Sequence, residues 1–326
     1  MDLSGLHICV TGGGGYIGST VANKLMEFGA RVTVVDRRGI VPNRTAGATF
    51  RHADYADNDV LYQLADDGVN GFVHCAGSSL VGPSIDNPSE YYNNNVAKTI
   101  MFLDNLKTWK NVPFVVFSSS AAVYGAPEYA TLDEGVPSDP INPYGNTKMM
   151  IERILHDYDV AHDIRSFCFR YFNAAGANKN TGPEINDTHL IPRIFEALYR
   201  NESFKLFGTD YNTPDGTCVR DYIHIDDLAE AHCIGVRELA DGSASKVYNL
   251  GTNEGYSNKE ILDIFLDVVG PLQIENYPRR IGDPDSLVAN TSAIAEDLGW
   301  FAQKGLVEII QDMHEFYMTV KDVRYS

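Results

Sequence analysis

The sequence predicts an α/β protein in which a doubly wound parallel sheet is followed by a smaller α/β domain. Short β-branched and aromatic runs alternate with helical patterns through the first half of the 326 residues, which is typical of successive βαβ units. A glycine-rich turn joins the first of these strands to the first helix. After Asn173 the pattern changes to a turn-rich stretch, which predicts a domain boundary.

The elements of the first domain follow from their apolar periodicity. Runs rich in valine and aromatic residues predict strands at 6–10, 31–36, 71–76, 113–119 and 165–171. Apolar residues that recur at intervals of three and four predict helices at 18–28, 88–107 and 144–158. Strand, helix and strand repeated in this way build a sheet that helices cover on both faces.

The second half contains fewer strands and more turns. A helix begins near Leu190, strands lie near Phe204 and Val247, and further helices are predicted at 227–239, 258–269, 291–298 and 306–317. We assign residues 1–175 to the first domain and 176–326 to the second, with part of about 215–250 returning to the first sheet. The cleft between two such domains is the expected ligand site.

Composition limits the partners and the compartment. The 26 lysines and arginines against 44 aspartates and glutamates give a net charge of −18, so neither nucleic acid nor an anionic membrane is an expected partner. No apolar run approaches the ~18 residues of a membrane span. The start of the sequence lacks the basic residues of a signal peptide, and the five cysteines show no CxxC spacing. We therefore expect a cytoplasmic protein with reduced thiols.

The turn after the first strand has the spacing of a dinucleotide-binding loop. Gly12, Gly15 and Gly18 allow a tight turn, a close approach of the backbone to a pyrophosphate and packing of helix on strand. The second strand ends at Asp36, whose carboxylate can bind both ribose hydroxyls of NAD in a Rossmann domain. The two arginines that follow could instead attract the 2′-phosphate of NADP. The alternatives are a plain turn for the glycines and a strand-end carboxylate for Asp36.

A tyrosine, a lysine and a serine form the candidate catalytic set. Tyr144 and Lys148 are four residues apart and therefore share one face of a helix. A free tyrosine titrates near pH ~10, so a phenol that acts as a base near neutrality needs about 4 kcal/mol of preferential phenolate stabilisation. Lys148 and an oxidised nicotinamide can each supply a positive charge. Ser120 follows a predicted strand at the ligand-facing edge of the sheet, where its hydroxyl can bind the oxygen that Tyr144 deprotonates.

Motifs spread over nearly the whole chain carry a resemblance to a known family. They are VTGGGGYIGS, VHCAG, FSSSAAVYG, NPYGNTK, FRYFNAAGA, HLIP, FGTDYNTPDGTCVRDYIHIDDLAEAH, YNLGTNEGYSNKEI and RRIGD. With these motifs the chain resembles the extended short-chain dehydrogenase/reductases, and among them the UDP-glucose 4-epimerase family. The resemblance implies an isomerase of galactose metabolism that uses NAD to epimerise carbon 4 of UDP-glucose, UDP-galactose or their N-acetyl forms through a transient 4-keto sugar.

The same resemblance implies a role for individual residues. Tyr144 would take the proton of the 4-hydroxyl, Ser120 would orient that hydroxyl, and Lys148 would hold the ribose and lower the pKa of the tyrosine. The implied cofactor-binding residues are Gly12, Gly15, Tyr16, Ile17, Gly18, Asp36, Arg37, Asp54, Tyr55, Cys75, Ala76, Gly77, Asn95, Tyr144, Lys148 and Tyr171. The implied substrate-binding residues are Ser120, Tyr144, Asn173, His189, Leu190, Lys205, Phe207, Arg220, Arg280, Asp283 and Leu287, the last at a position that gates N-acetylated sugars.

Several alternatives stay open at this point. Sugar-nucleotide 4,6-dehydratases need an acid pair where this chain has Ala121 and Ala122, but UDP-glucuronate 4-epimerases or decarboxylases differ mainly at carbon 6 of the sugar. A non-catalytic NAD-binding regulator is a further alternative. Arg220 could be an ion-pair partner of Asp221 and not a phosphate ligand.

A metal site and a dimer interface are the remaining candidates. His224, Asp226 and Asp227 lie close together in the sequence, but an aspartate at this point fits better as the N-cap of the next helix, so no metal is expected. Members of the family commonly pair through two helices per subunit. Helices 88–107 and 144–158 could form such a homodimer interface, although packing on the sheet explains the same apolar stripes.

Overall fold

The computed structural model describes residues 1–39, 44–129, 131–183, 188–280 and 283–324. The chain divides into two compact units, each made of more than one segment. The first unit contains Met1–Gly125, Pro137–Arg170 and Ala229–Tyr248, and the second contains Ala126–Val136, Tyr171–Leu228 and Asn249–Ser326.

A seven-stranded sheet organises the first unit. Its strands are β1 (His7–Thr11), β2 (Arg31–Asp36), β3 (Thr49–His52), β4 (Gly71–His74), β5 (Phe114–Ser120), β6 (Ser166–Tyr171) and, later in the chain, β11 (Lys246–Leu250). Their order across the sheet is β11-β6-β5-β4-β1-β2-β3, and the ladders from β3 to β5 are parallel. The central order 3-2-1-4-5-6 is that of a doubly wound Rossmann sheet, so the predicted fold class is confirmed.

Helices connect the strands of this sheet. They are α1 (Tyr16–Glu27), α2 (Asn58–Asp66), α3 (Val81–Asp86), α4 (Pro88–Tyr91), α5 (Lys98–Leu106), α6 (Pro143–His162) and α8 (Ile225–Ala240), which enters the first unit at Ala229. A π-helix, Tyr92–Ala97, lies between α4 and α5, and a 3₁₀-helix, Ala121–Tyr124, follows β5. A continuous apolar cluster in this unit contains Phe72, Phe102, Phe117 and Leu155, each at most 1% exposed.

The second unit combines short strands with longer helices. Its strands are β7 (Asn173–Ala175), β8 (Phe204–Phe207), β9 (Val219–Arg220), β10 (Tyr222–His224), β12 (Tyr256–Ser257), β13 (Ile274–Tyr277) and β14 (Ser286–Leu287). Its helices are α7 (Leu190–Tyr199), α9 (Asn258–Val268), α10 (Ser292–Leu298) and α11 (Leu306–Arg324). Phe195, Phe265 and Tyr317 anchor a separate core there. Across the described ranges of both units, no helix is long and apolar enough to cross a membrane.

Two details of the predicted elements were wrong. The single helix predicted at 88–107 is interrupted by the π-helix. Three consecutive asparagines, Asn93–Asn95, break the apolar pattern there, and the side chains of Asn94 and Asn95 hydrogen-bond to Ser78, outside the helix. The helix predicted from Asp227 begins at Ile225, so neither aspartate is its N-cap. Both lie in the first turn, where a carboxylate still favours the positive end of the helix dipole.

Candidate active site

The glycine-rich turn between β1 and α1 leaves no room for side chains. Gly12 has a φ of +70°, and a Cβ built on it would lie 2.7 Å from the backbone nitrogen of Ala76. A Cβ on Gly18 would lie 2.4 Å from the carbonyl oxygen of Gly12. Helix α1 begins after Gly15 with no side-chain cap and no acidic residue in its first turn. This turn therefore presents backbone and a helix N-terminus, which is what a pyrophosphate requires.

Asp36 closes β2 beside this turn. Its side chain is buried, and its carboxylate accepts hydrogen bonds from the backbone N–H of Gly14 at 3.0 Å and of Arg38 at 2.8 Å. The Arg37 guanidinium donates to Asn94 Oδ1 at 3.3 Å. The glycine turn, the uncapped helix and the strand-end carboxylate together fit a dinucleotide, with Asp36 in position for a ribose.

Three further residues predicted to bind cofactor lie near the ends of β3 and β4. The Asp54 carboxylate accepts from the Lys98 ammonium, and also from the Ala56 N–H at 3.1 Å. Tyr55 is only 6% exposed, and its hydroxyl donates to the carbonyl of Asn94 at 2.6 Å, which leaves its backbone as the part that can meet a ligand. Cys75 follows β4 and accepts a hydrogen bond from Ser118. Their roles stay predictions.

The π-helix joins the loop after β4 to α6 through Asn95. Its side-chain oxygen accepts from the Ser78 N–H at 2.7 Å, and its amide donates to the Ser78 carbonyl at 3.0 Å. The same amide donates to Thr147 Oγ1 at 3.1 Å. Thr147 lies between Tyr144 and Lys148, so Asn95 fixes the catalytic helix to the loop that contains Ala76 and Gly77. π-Helical turns are frequent at functional sites.

Helix α6 starts at the candidate catalytic set. Asn142 caps it by accepting the Gly145 N–H at 2.8 Å, and Pro143 occupies its first position. A Cβ on Gly145 would lie 2.4 Å from the carbonyl oxygen of Ala122, so the glycine permits α6 to approach the 3₁₀-helix after β5. This contact brings Tyr144 next to the end of β5.

The side chains of Ser120 and Tyr144 lie close enough to interact. The Oγ of Ser120 also accepts the Ala122 N–H at 3.2 Å, which starts the 3₁₀-helix. The two preceding serines have other partners: Ser118 Oγ donates to Cys75 Sγ at 3.1 Å and Ser119 Oγ to a buried glutamate. Of the three consecutive serines, Ser120 is therefore the one that meets the tyrosine.

The protonation of the set differs from the expectation. Burial raises the pKa of Tyr144 to about 12, and its interaction with the Ser120 hydroxyl only partly opposes this rise. Lys148 is 7% exposed, and burial lowers its pKa to about 8. Its ammonium donates to the Ser118 carbonyl at 2.6 Å and lies 5.7 Å from the centre of the Tyr144 ring. Burial therefore dominates the pKa of Tyr144 in the structure, and the lowering of this pKa by Lys148 stays a prediction.

In the second unit, three predicted substrate residues lie on adjoining short strands. Arg220 and Leu287 are register partners in the parallel pair β9–β14. Asn173 is the register partner of Tyr222 in β7–β10, and its side chain hydrogen-bonds with the Tyr222 hydroxyl. Arg220 donates to the Val219 carbonyl at 2.7 Å.

A second group of predicted substrate residues surrounds β8 and β13. The Arg280 guanidinium lies 4.4 Å from the centre of the Phe207 ring, and Lys205 lies 5.0 Å from that of Tyr277. Asp283 is close enough to Tyr211 that its charge, after burial, helps to raise the pKa of that hydroxyl. The remaining two predicted residues lie at the start of α7, where His189 is the N-cap and Leu190 the first residue.

Asp221 is a buried carboxylate whose role the sequence analysis missed. Its carboxylate accepts the N–H and the hydroxyl of Thr252 at 2.8 and 2.7 Å, the Asn253 N–H at 3.1 Å and the Ala289 N–H at 3.2 Å. The alternative that it pairs with Arg220 is therefore wrong. Its backbone carbonyl accepts the Asn173 N–H, and its N–H donates to the Leu287 carbonyl. One aspartate thus ties together the segments that carry Asn173, Arg220 and Leu287.

The aspartates of the rejected metal cluster have structural partners. Asp227 accepts the backbone N–H groups of Gln303 and Lys304, and Asp226 accepts from the Lys304 ammonium at 3.0 Å. His224 is fully buried, with Nε2 3.1 Å from an Asp312 oxygen. Within the described part of the chain, no group of three or more histidine, cysteine or acidic side chains is arranged to hold a metal ion.

Comparisons with known proteins show the family of this chain. The chain matches the model of the NAD dependent epimerase/dehydratase family over residues 8–251. A UDP-glucose 4-epimerase of Corynebacterium glutamicum is 38% identical over 323 residues, 97% of each chain. The UDP-glucose 4-epimerase of Brucella ovis in complex with NAD has a TM-score of 0.90 and 36% identity, over 94% of this chain and 97% of that one.

A second solved structure adds a nucleotide ligand. The UDP-glucose 4-epimerase of Bifidobacterium longum in complex with NAD⁺ and UDP has a TM-score of 0.87 and 31% identity, over 96% of this chain and 98% of that one. The family match spans the glycine turn, Asp36 and the set of Ser120, Tyr144 and Lys148. The chain belongs to the NAD dependent epimerase/dehydratase family.

Proposed function

We propose that this chain is an isomerase that epimerises carbon 4 of a UDP-hexose. NAD is its cofactor, and the overall reaction is redox-neutral. The observation that carries the proposal is that Tyr144 interacts with Ser120 and lies one helical turn before Lys148, in the same unit as the glycine turn. Similarity to UDP-glucose 4-epimerases over 97% of the chain supports it. The UDP-glucuronate enzymes and the non-catalytic regulator gain no support from these findings.

The chemistry divides between the cofactor and the protein. Bound NAD would supply hydride transfer from carbon 4 and back to its opposite face, together with the positive charge of its oxidised form. Tyr144 removes the proton of the 4-hydroxyl through the oxygen that now contacts Ser120, and it gives a proton back in the second half. Because burial raises its pKa to about 12, this step requires added positive charge in the site. Lys148, held on the Ser118 carbonyl, supplies part of that charge and orients the ribose.

The nucleotide part of the substrate is assigned to the second unit. Arginine forks suit phosphate oxygens, and two of them can neutralise a diphosphate on a protein with a net charge of −18. We assign Arg220 and Arg280 to the phosphates, Asn173 to the same region and Asp283 to the uridine ribose. The UDP bound in the similar Bifidobacterium longum structure supports a UDP ligand.

Replacing the phenol tests this function. We expect the purified chain to interconvert UDP-glucose and UDP-galactose without net NADH formation, and Tyr144→Phe to lower kcat by about 10²-fold or more, since it removes the general base. Tyr158→Phe is the matched control, because this tyrosine lies on the same helix and donates to Asp104 at 2.9 Å. Product analysis and absorbance at the NADH band are followed together. Unchanged turnover in Tyr144→Phe would reject the function.

The assembly and the compartment belong to the same proposal. We assign a homodimer whose interface includes α5 and α6, since Ile100, Met101 and Met150 are exposed apolar residues there. All five cysteines are free and four are buried, which suits a reducing cytoplasm. Sedimentation of the wild type against Met101→Glu tests the dimer, and a wild-type monomer would refute it.

A further inference from the structure

Buried side chains hold Ser119, the residue just before Ser120, on helix α6. The Ser119 hydroxyl is 1% exposed and donates to Glu152 Oε1 at 2.5 Å. Glu152 lies one helical turn after Lys148, whose ammonium donates to the Ser118 carbonyl at 2.6 Å. Two side chains on one face of α6 therefore hold the end of β5 at successive residues.

Arg170 completes this arrangement from the neighbouring strand β6. Its Nη2 lies 2.7 Å from Glu152 Oε2 and its Nε 3.0 Å from Glu152 Oε1, a bidentate fork. Its Nη1 donates to the Tyr124 hydroxyl at 3.0 Å, and its guanidinium lies 4.9 Å from the centre of the Tyr124 ring. Arg170 and Glu152 are buried, and Tyr124 is the last residue of the 3₁₀-helix that Ser120 starts.

These contacts and the backbone between them form a closed ring that passes through Ser120. The path runs from Glu152 to Ser119, along the backbone through Ser120 to Tyr124, and through Arg170 back to Glu152. Ser120 is the one member of its strand end that faces Tyr144, and it is fixed on both sides by residues that the mechanism does not use. Moving any link of the ring moves the Ser120 hydroxyl relative to the phenol.

We propose that Glu152 is a positioning residue, which through Ser119 and the Arg170 fork sets the place of Ser120 against Tyr144 and Lys148. This inference rests on the proposed function only for its kinetic readout. A buried ion pair is weak evidence for a stabilising role, because a well-packed apolar pair of the same size often stabilises as much. If the Glu152–Arg170 pair instead fixes the position of Ser120, that position depends on both charges and on the Ser119 hydroxyl.

Two variants separate positioning from stability. Glu152→Gln keeps the size of the side chain but turns an amide donor toward the Arg170 fork. Ser119→Ala removes only the hydroxyl and leaves the ion pair in place. Glu196→Gln is the matched control, a glutamate of similar burial in the second unit that has no assigned role in catalysis.

The measurements are kcat, KM, the thermal midpoint and hydrogen exchange of the amides of residues 118–124. We expect kcat to fall by about 10²-fold in Glu152→Gln and about tenfold in Ser119→Ala, with KM for UDP-glucose changed by no more than about twofold, since sub-ångström misplacement acts on the chemical step. Exchange of 118–124 should rise in both variants. Glu196→Gln should keep the wild-type kcat and exchange.

The outcomes are distinct. A wild-type protein that does not convert UDP-hexoses refutes the proposed function, and unchanged exchange of residues 118–124 in both variants would then still overturn the positioning role. If Glu152→Gln and Ser119→Ala keep wild-type kcat and exchange, even with a lower thermal midpoint, the pair is structural and the inference is overturned. A fall in kcat that Glu196→Gln reproduces overturns it as well.

Discussion

Each unit contains a carboxylate buried next to residues of the proposed site, and the two are stabilised in different ways. In the first unit, Glu152 faces the guanidinium fork of Arg170 and one hydroxyl. In the second, Asp221 is 0% exposed and accepts three backbone N–H groups and the Thr252 hydroxyl. Among the residues that the structure describes, no lysine or arginine forms an ion pair with Asp221.

This difference in partners decides how burial acts on each site. Burial by itself lowers the pKa of Arg170, but its hydrogen bonds and charge interaction with Glu152 raise it above its ordinary value, so the guanidinium stays charged. For Asp221 burial is the larger effect, and it raises the pKa to about 6 against the pull of four donors. We therefore expect the stability of the first unit to depend on the charged partner of Glu152, and the stability of the second unit to depend on pH.

Loss of Arg170 should have the largest effect. Arg170→Met leaves the Glu152 carboxylate buried without a cation, which costs about 3 to 5 kcal/mol of stability. Arg237→Met is the control, since its pair with Asp241 is exposed and worth at most about 1 kcal/mol. Denaturation in urea measures both. The double variant Glu152→Leu/Arg170→Met should regain most of the stability, and a double variant as unstable as the single one would contradict this account.

The stability of the protein should depend on pH through Asp221, whose buried carboxylate has no cationic partner among the described residues. Its folded pKa of about 6 lies above the ordinary value of 3.8, so the folded state binds the proton more tightly. This contribution to stability is complete below pH ~4 and is lost as pH rises through ~6, about 3 kcal/mol in all.

The comparison variant for this titration is Asp221→Asn, which cannot ionise. The difference in stability between wild type and variant should shrink from pH 4 to 6 and become constant above pH 7. A difference that does not change with pH would show that the four donors hold Asp221 ionised throughout.

A smaller effect should follow from removing one donor to Asp221. Thr252→Val keeps the β-branched shape and the backbone N–H but loses the hydroxyl at 2.7 Å, and we expect a cost of about 1 to 2 kcal/mol at pH 8. The cost should be lower at pH 5, where Asp221 is protonated. Thr213→Val is the control, because its hydroxyl donates to the neutral Thr217 carbonyl, and its cost should not depend on pH. Equal pH dependence in both variants would argue against a charged Asp221.

Local patterns in the sequence were sufficient to predict much of the fold and to point to the candidate catalytic set. The glycine turn, the strand that ends at Asp36 and the Tyr144–Lys148 spacing each lie within one or two adjacent elements, so periodicity and spacing reveal them. The π-helix could not be predicted, since its extra residue is held by contacts of Asn95 with Ser78 and Thr147, 17 and 52 positions away.

The buried charges could not be paired from the sequence for the same reason. Asp221 contacts Thr252 and Ala289, 31 and 68 positions away, and no spacing rule links them. One signal was visible: Arg170 interrupts the apolar strand β6, and a cation inside a buried strand needs a carboxylate partner. Glu152, four residues after Lys148 and therefore on the same face of α6, was the available candidate.

The smallest effect on stability is expected from a substitution that leaves Glu152 and Asp221 in place. Such a substitution alters only a side chain on a segment that is hydrogen-bonded to Asp221. The Leu287 carbonyl accepts the Asp221 N–H, so Leu287→Gly removes the side chain and preserves this backbone contact. If the proposed gate is correct, the kcat/KM ratio of UDP-N-acetylglucosamine to UDP-glucose should rise by about tenfold, the range that pocket size alone provides. Leu287→Met, which conserves volume, should leave the ratio close to wild type. Because the hydrogen bonds of Asp221 stay intact, the free energy of unfolding should still fall as pH rises through ~6 in both variants. A changed pH profile of stability with an unchanged substrate ratio would show that Leu287 supports the Asp221 segment and does not gate the substrate.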